Sequence, residues 1–173
     1  TGRKVLSFRA PGFSITENNK WAFDVLCELG IKKDSSVFPA SRAHGGMPSY
    51  NSHVPSIVQY NGVELKEFPI NTHSFFGIPL IFSGGGYFRI LPYNVIKSFK
   101  KKSNYIMTYF HPRDFDYEQP VITELSNYRR FKSYVGIKNC RYKLEKWLSE
   151  FDFIDLNMAD KLVNWREAPV HKV

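Results

Sequence analysis

An α/β domain with a largely parallel sheet or barrel is the fold class that the sequence predicts, and three observations lead to it. Short apolar strands alternate along the chain with segments of helical spacing, the arrangement in which crossover helices cover parallel strands. The chain has 173 residues, 43% of them hydrophobic and 16% aromatic, enough for one substantial core. Polar residues arrive at the carboxyl ends of two expected strands, in "VLSFRAPG" (5–12) and "YIMTYFH" (105–111), and α/β folds gather their sites at such ends.

The elements follow in order. A strand is expected over 4–9. Ser14 with Glu17 three residues on fits a capping box, and Trp21, Val25, Leu26 and Leu29 recur at helical spacing, so a helix is expected over 16–29 with Gly30 as its stop. "KKDSSVFP" (32–39) predicts a short strand closed by Pro39, and residues 40–60, rich in Gly, Ser, Pro, Asn and His, read as a long irregular loop. "VELKEFPI" (63–70) alternates like a strand, "IPLIF" (78–82) is a short apolar one, and "SGGGYFR" (83–89) reads as a glycine-rich turn. Pro92 opens a helix through Lys102, and 105–111 is the most continuous apolar strand. In the last third Cys140, Leu144, Trp147, Leu148 and Phe151 mark one face of a helix, with "FDFIDL" and a short helix near 158–165 beyond it.

Composition narrows the function classes. No run approaches the roughly 18 apolar residues of a membrane span, and no basic-then-apolar leader is visible. Cys27 and Cys140 fall within amphipathic segments and read as reduced thiols. The net charge of +8 comes mainly from the second half, where Lys and Arg number 16 against 10 acids over 87–173, compared with 8 against 6 over 1–86. The runs "KSFKKK" (97–102) and "YRRFK" (128–132) read as solvated helix faces, and no nucleic-acid-binding motif accompanies them, so no nucleic-acid partner is expected. Thr1-Gly2 stands within three residues of a strand, so the early part of the domain is expected upstream or on another chain.

Three residues stand out as chemistry: Arg9, Asp34 and His111, each at a strand end or in the turn beside one. Singly, Arg9 can cap carbonyls, Asp34 can cap a turn with Ser35 and Ser36, and His111 can be a strand-end histidine before Pro112. Jointly they fit an acid-base site, since a carboxylate fixes a histidine tautomer and an arginine keeps a carboxylate base ionised.

"SFRAPGFSIT", "LGIKKDSSVFP", "SGGGYFRILPY" and "TYFHPRDFDYEQP", in that order, resemble the later motifs of polysaccharide deacetylases, the NodB homology domain of the metal-dependent carbohydrate esterases. The branch most similar serves bacterial exopolysaccharide and surface-glycan synthesis and carries an extra carboxyl-terminal segment. The resemblance implies that residues 1–113 are the carboxyl-terminal part of a distorted (β/α) barrel and 114–173 a family-specific extension packed on it. It implies that Arg9 pairs with a base aspartate in the missing part, that the Gly12 amide helps hold an oxyanion, that Asp34 orients His111, and that His111 is the general acid. Pro11, Tyr87, Phe88 and Arg89 are the implied substrate contacts, with core packing the alternative for the two aromatics. Arg113 and Asp114 stand where many relatives have Trp and Glu.

The implied reaction is hydrolysis of an N-acetyl group from an amino sugar or glycan by a cytoplasmic bacterial enzyme, with zinc or another divalent metal in the complete protein. The family's Asp-Asp pair and H-x-x-x-H motif do not occur in residues 1–173, and His44 and His53 are nine apart. The chain alone is therefore expected to bind no metal and to be inactive without an amino-terminal part. A non-catalytic glycan-binding or assembly module is the alternative.

Overall fold

The computed structural model describes residues 2–41, 45–75 and 78–173. In chain order it contains β1 (Ser7–Phe8), α1 (Trp21–Glu28), β2 (Lys33–Asp34), β3 (Ser56–Tyr60), β4 (Val63–Glu67), β5 (His73–Phe75), β6 (Ile78–Leu80), α2 (Gly85–Ile90), α3 (Tyr93–Lys101), α4 (Asn127–Tyr134), α5 (Cys140–Glu150), α6 (Leu156–Leu162) and β7 (Val170–Lys172). These fall into two units, residues 2–72 with 155–173, and residues 73–154.

The first unit is a mixed α/β layer structure on a mostly parallel sheet in the order β1-β2-β4-β3-β7. β1, β2 and β4 are parallel neighbours, with Phe8 beside Asp34 and Asp34 beside Glu67; β3 is antiparallel to β4 and β7 parallel to β3. The alternation of β4 decides which side chains go inward. Leu65 is buried opposite Val58, and the period of two sends Glu67 to the same face. Phe23 and Leu26 of α1 join Val58, Leu65, Ile31, Val37 and Tyr50 in that core. The other face carries Lys33 and Lys66, side by side in register, and both reach Asp160 of α6, Lys66 at 2.6 Å and Lys33 at 3.7 Å. Lys33 also donates to Asn157 Oδ1 at 2.8 Å.

Several local expectations are corrected here. The helix begins at Trp21 rather than 16, because Glu17 is drawn to the Ser49 hydroxyl and amide instead of back to Ser14, while Asn19 Oδ1 takes the Thr16 amide. Its buried face is Phe23 and Leu26; Trp21 and Leu29, expected inside, are 60% and 71% exposed. Gly30 does end the helix, at φ +76°. The stretch expected as loop over 40–60 contains β3, joined to β4 by Asn61-Gly62 with both residues at positive φ, the geometry of a two-residue hairpin turn.

The second unit is mainly helical. Phe82, Phe88, Ile96, Phe99, Cys140 and Trp147 form its core, with Phe88 5.3 Å from Trp147 and 4.9 Å from Phe110 between ring centres. Residues 105–111 do not form the expected strand. Among the described residues their one bridge joins Tyr109 to Gly84, just before α2 begins at Gly85. Gly84 is required by that approach: a Cβ there would sit 1.8 Å from the Tyr109 carbonyl oxygen. The expected glycine turn is thus the start of a helix. Both cysteines are free thiols, and burial, with Asp114's charge adding, pushes Cys140 up to about 11.

Candidate functional site

Arg9, Ser35 and Glu67 meet at the carboxyl ends of three adjacent parallel strands, where sites of α/β sheets gather. The Arg9 guanidinium donates from Nη2 to Ser35 Oγ at 2.8 Å and from Nε to the Ser35 carbonyl at 3.2 Å. Ser35 Oγ in turn donates to the Phe68 carbonyl at 2.8 Å, so the arginine is braced across β1, β2 and the end of β4. Arg9 is half-buried, and its charge lies close enough to Glu67 to favour that carboxylate.

Asp34 is fully buried. Its Oδ1 accepts the Ser36 hydroxyl at 2.6 Å and its Oδ2 the Ser36 amide at 3.3 Å, while the Ser36 hydroxyl oxygen accepts the Ala10 amide at 2.8 Å. This is the turn-capping arrangement the sequence allowed, extended to the chain just after Arg9. Burial pushes Asp34 up, and hydrogen bonds from Glu67, Ser36 and Ser35 oppose the rise. Glu67, also fully buried, is pushed well above the usual carboxylate range by desolvation first and by the Asp34 charge second. Its Oε1 accepts the Val37 amide at 3.0 Å. Sequence reading missed Glu67, although the signal was present: an acid on the Val63-Leu65 face of an alternating strand must be buried.

Gly12 lies in a turn over Pro11–Phe13 at φ +64°, where a side chain would be strained although its space is open. Pro11 and Gly12 are both exposed.

The remaining sequence-derived residues belong to the second unit. His111 is exposed, and its Nε2 shares a 2.7 Å hydrogen bond with the Tyr109 hydroxyl. Its backbone amide donates to Asp114 Oδ2 at 2.9 Å; Asp114 is buried and ion-paired at 3.3 Å with Arg89 Nε. Arg89 also donates to the carbonyls of Ser133 and Lys132 at 2.6 and 2.9 Å, so this buried arginine braces the His111 segment rather than facing solvent. Phe88 is wholly buried against Trp147 and Phe110, which is the core-packing alternative and leaves no ring face for a sugar. Tyr87 is 43% exposed. The hydrogen bonds of Asp34 stay within the first unit, on Ser36 and Glu67.

Among the described residues the donor set does not fit a catalytic metal: no three His, Cys, Asp or Glu side chains are gathered to hold one. His44 lies outside the described residues, His53 shares a 3.2 Å hydrogen bond through Nδ1 with Thr72, and His73 is stacked 4.0 Å from Phe99. No described helix is long and apolar enough to cross a membrane.

A mostly parallel α/β sheet with an arginine and two acids at its strand ends defines the class. Residues 35–161 match the family described as a domain of unknown function, DUF3473, and the chain belongs to that family, which is associated with polysaccharide deacetylase-like proteins. Neither a curated protein nor a solved structure matches the chain.

Proposed function

We propose that the chain is the carboxyl-terminal part of a metal-dependent N-deacetylase of the NodB type, acting on an N-acetylated glycan or amino sugar in bacterial surface-glycan synthesis. The observation that carries this reading is Arg9, braced by Ser35 at the end of a parallel strand and followed by the exposed Pro11-Gly12 turn. A guanidinium so held is suited to keep a neighbouring carboxylate base charged, and the Gly12 amide to donate to an oxyanion. His111 is the proposed proton donor: water adds to the acetamide carbonyl, the C–N bond breaks, acetate leaves, and the amine takes its proton from the imidazolium.

The barrel is part of the proposal, with the metal and the base held by residues outside this chain. Exposed apolar groups on the first unit support it. Val5 and Leu6 just before the edge strand β1 and Phe8 within it, with Trp21 at the start of α1 and Leu29 just past its end, are apolar surface that further strands and helices of a continuing fold would cover.

The test is acetate release from N-acetylated oligosaccharides by the complete protein. His111→Ala should lower kcat by roughly 10²-fold or more while the variant stays folded. A folded variant with near wild-type turnover removes His111 from the reaction, and glycan binding without acetate release by the wild type favours an assembly module instead.

A further inference from the structure

Two carboxyl groups with no exposed surface, Asp34 and Glu67, occupy register-paired positions on β2 and β4. Buried carboxylates side by side cannot both be charged, so the pair holds a proton. The hydrogen bonds indicate where. Both Asp34 oxygens already accept from Ser36, an arrangement that favours a charged aspartate. Glu67 accepts the Val37 amide through Oε1, whereas its buried Oε2 has no donor to accept from. A proton on Oε2 turns that orphaned acceptor into a donor toward Asp34.

We propose that Glu67 is a positioning residue: as a neutral acid it donates to Asp34 and, through Asp34 and Ser36, holds the Ala10 amide and with it the Arg9–Gly12 turn. Hydrogen bonds join Val37 N–H to Glu67 Oε1, and Ala10 N–H through Ser36 Oγ to Asp34 Oδ1; the proposed proton on Glu67 supplies the step between these register-paired acids. Its consequence for catalysis rests on the reading of Arg9 and Gly12 as site residues; the hydrogen-bonded link does not. Among the described residues the other ionisable groups around the pair are Arg9 beyond β1, which favours charge on Glu67, and Tyr50, which burial first and the pair second push up and whose ring packs on His171 of β7.

The linkage sign follows from the raised Glu67. The folded protein keeps a proton that the unfolded chain releases near 4.5, so stability falls as pH rises above that value. Glu67→Gln is the neutral mimic, since its amide can donate to Asp34 and its carbonyl can accept from Val37 at every pH.

The experiment compares wild type, Glu67→Gln, Glu67→Ala and Ser36→Ala in the complete protein, by amide exchange and by Tm between pH 5 and 8. Glu67→Gln should keep Ala10 protected, flatten the fall of Tm with pH, and melt at least about 2 °C above wild type at pH 8. Glu67→Ala should speed exchange at Ala10 by at least about tenfold relative to Val58 in β3. Ser36→Ala should release Ala10 while leaving the pH dependence in place, a readout that survives if Glu67→Ala fails to fold. The proposal is overturned if Glu67→Gln exposes Ala10 as much as Glu67→Ala does, if exchange rises uniformly through the first unit, or if the Tm slope of Glu67→Gln equals that of wild type. None of these readouts needs turnover, so absence of deacetylation in every protein would remove the enzymatic reading alone.

Discussion

The two units satisfy their buried charges by different means. In the first, Asp34 and Glu67 lie behind the strand ends, and their accommodation depends on a proton that the solvent can remove. In the second, Arg89 is buried against Asp114, and Lys143 is buried as well. Lys143 Nζ donates to the carbonyls of Phe88, Arg89 and Leu91 at 2.8, 2.6 and 3.0 Å, covering acceptors that the end of α2 would otherwise leave unpaired. The acids are tuned by pH, the cations by backbone geometry. A protein that needs a rigid platform gains from the second device, and one that needs a charged group held near another gains from the first.

That contrast is broken most severely where backbone geometry is attacked. Gly84→Ala would drive a Cβ into the Tyr109 carbonyl, 1.8 Å away, and is expected to destabilise the second unit by about 3 kcal/mol or more, read as lost amide protection around Phe88 and Tyr109. Lys143→Met should follow at about 2–3 kcal/mol, because three buried carbonyls lose a charged donor, and chemical denaturation measures it. If this variant is as stable as wild type, carbonyl capping is not what holds the end of α2.

The pH dependence sharpens the comparison. Protection in the first unit should decline as pH rises above about 4.5, because the folded state keeps the Glu67 proton that the unfolded chain releases. Lys143 is held below its ordinary 10.5 by burial, so its effect has the opposite sign and appears only in the alkaline range, where stability gains with pH. Unit-resolved hydrogen exchange from pH 5 to 8 should therefore show the first unit loosening and the second unchanged. Equal slopes in both would separate Glu67 from the trend. The smallest effect is expected for Ser35→Ala, about 1 kcal/mol, with the Arg9 guanidinium losing its 2.8 Å partner while Asp34 and Glu67 keep theirs.

Much of the first unit was legible in the chain. "VLSFR", "KKDSS" and "VELKE" each contain a strand, and reading polar residues at strand ends led to Arg9, which directly follows β1, and to Asp34, which ends the parallel β2 beside it. Glu67 obeys the same rule and was legible from alternation. The apolar face of α1 was not, because Trp21, Val25 and Leu29 have helical spacing as good as that of Phe23 and Leu26, and only the position of the sheet decides which stripe is covered. Residues 105–111 misled for a similar reason: their composition favours a strand, but pairing is decided by neighbours far away in the chain, and among the described residues they make one bridge, Tyr109 to Gly84.

The α/β class, the charge distribution and the residue types available at each strand end follow from local spacing and composition and so could be read along the chain. It took the fold to bring Asp34 and Glu67 into one buried environment, to join Asp34 through Ser36 to Ala10, and to turn Arg89 and Phe88 inward. Those outcomes depend on the register of strands far apart in the chain and on desolvation, and neither is written in the spacing of any single segment.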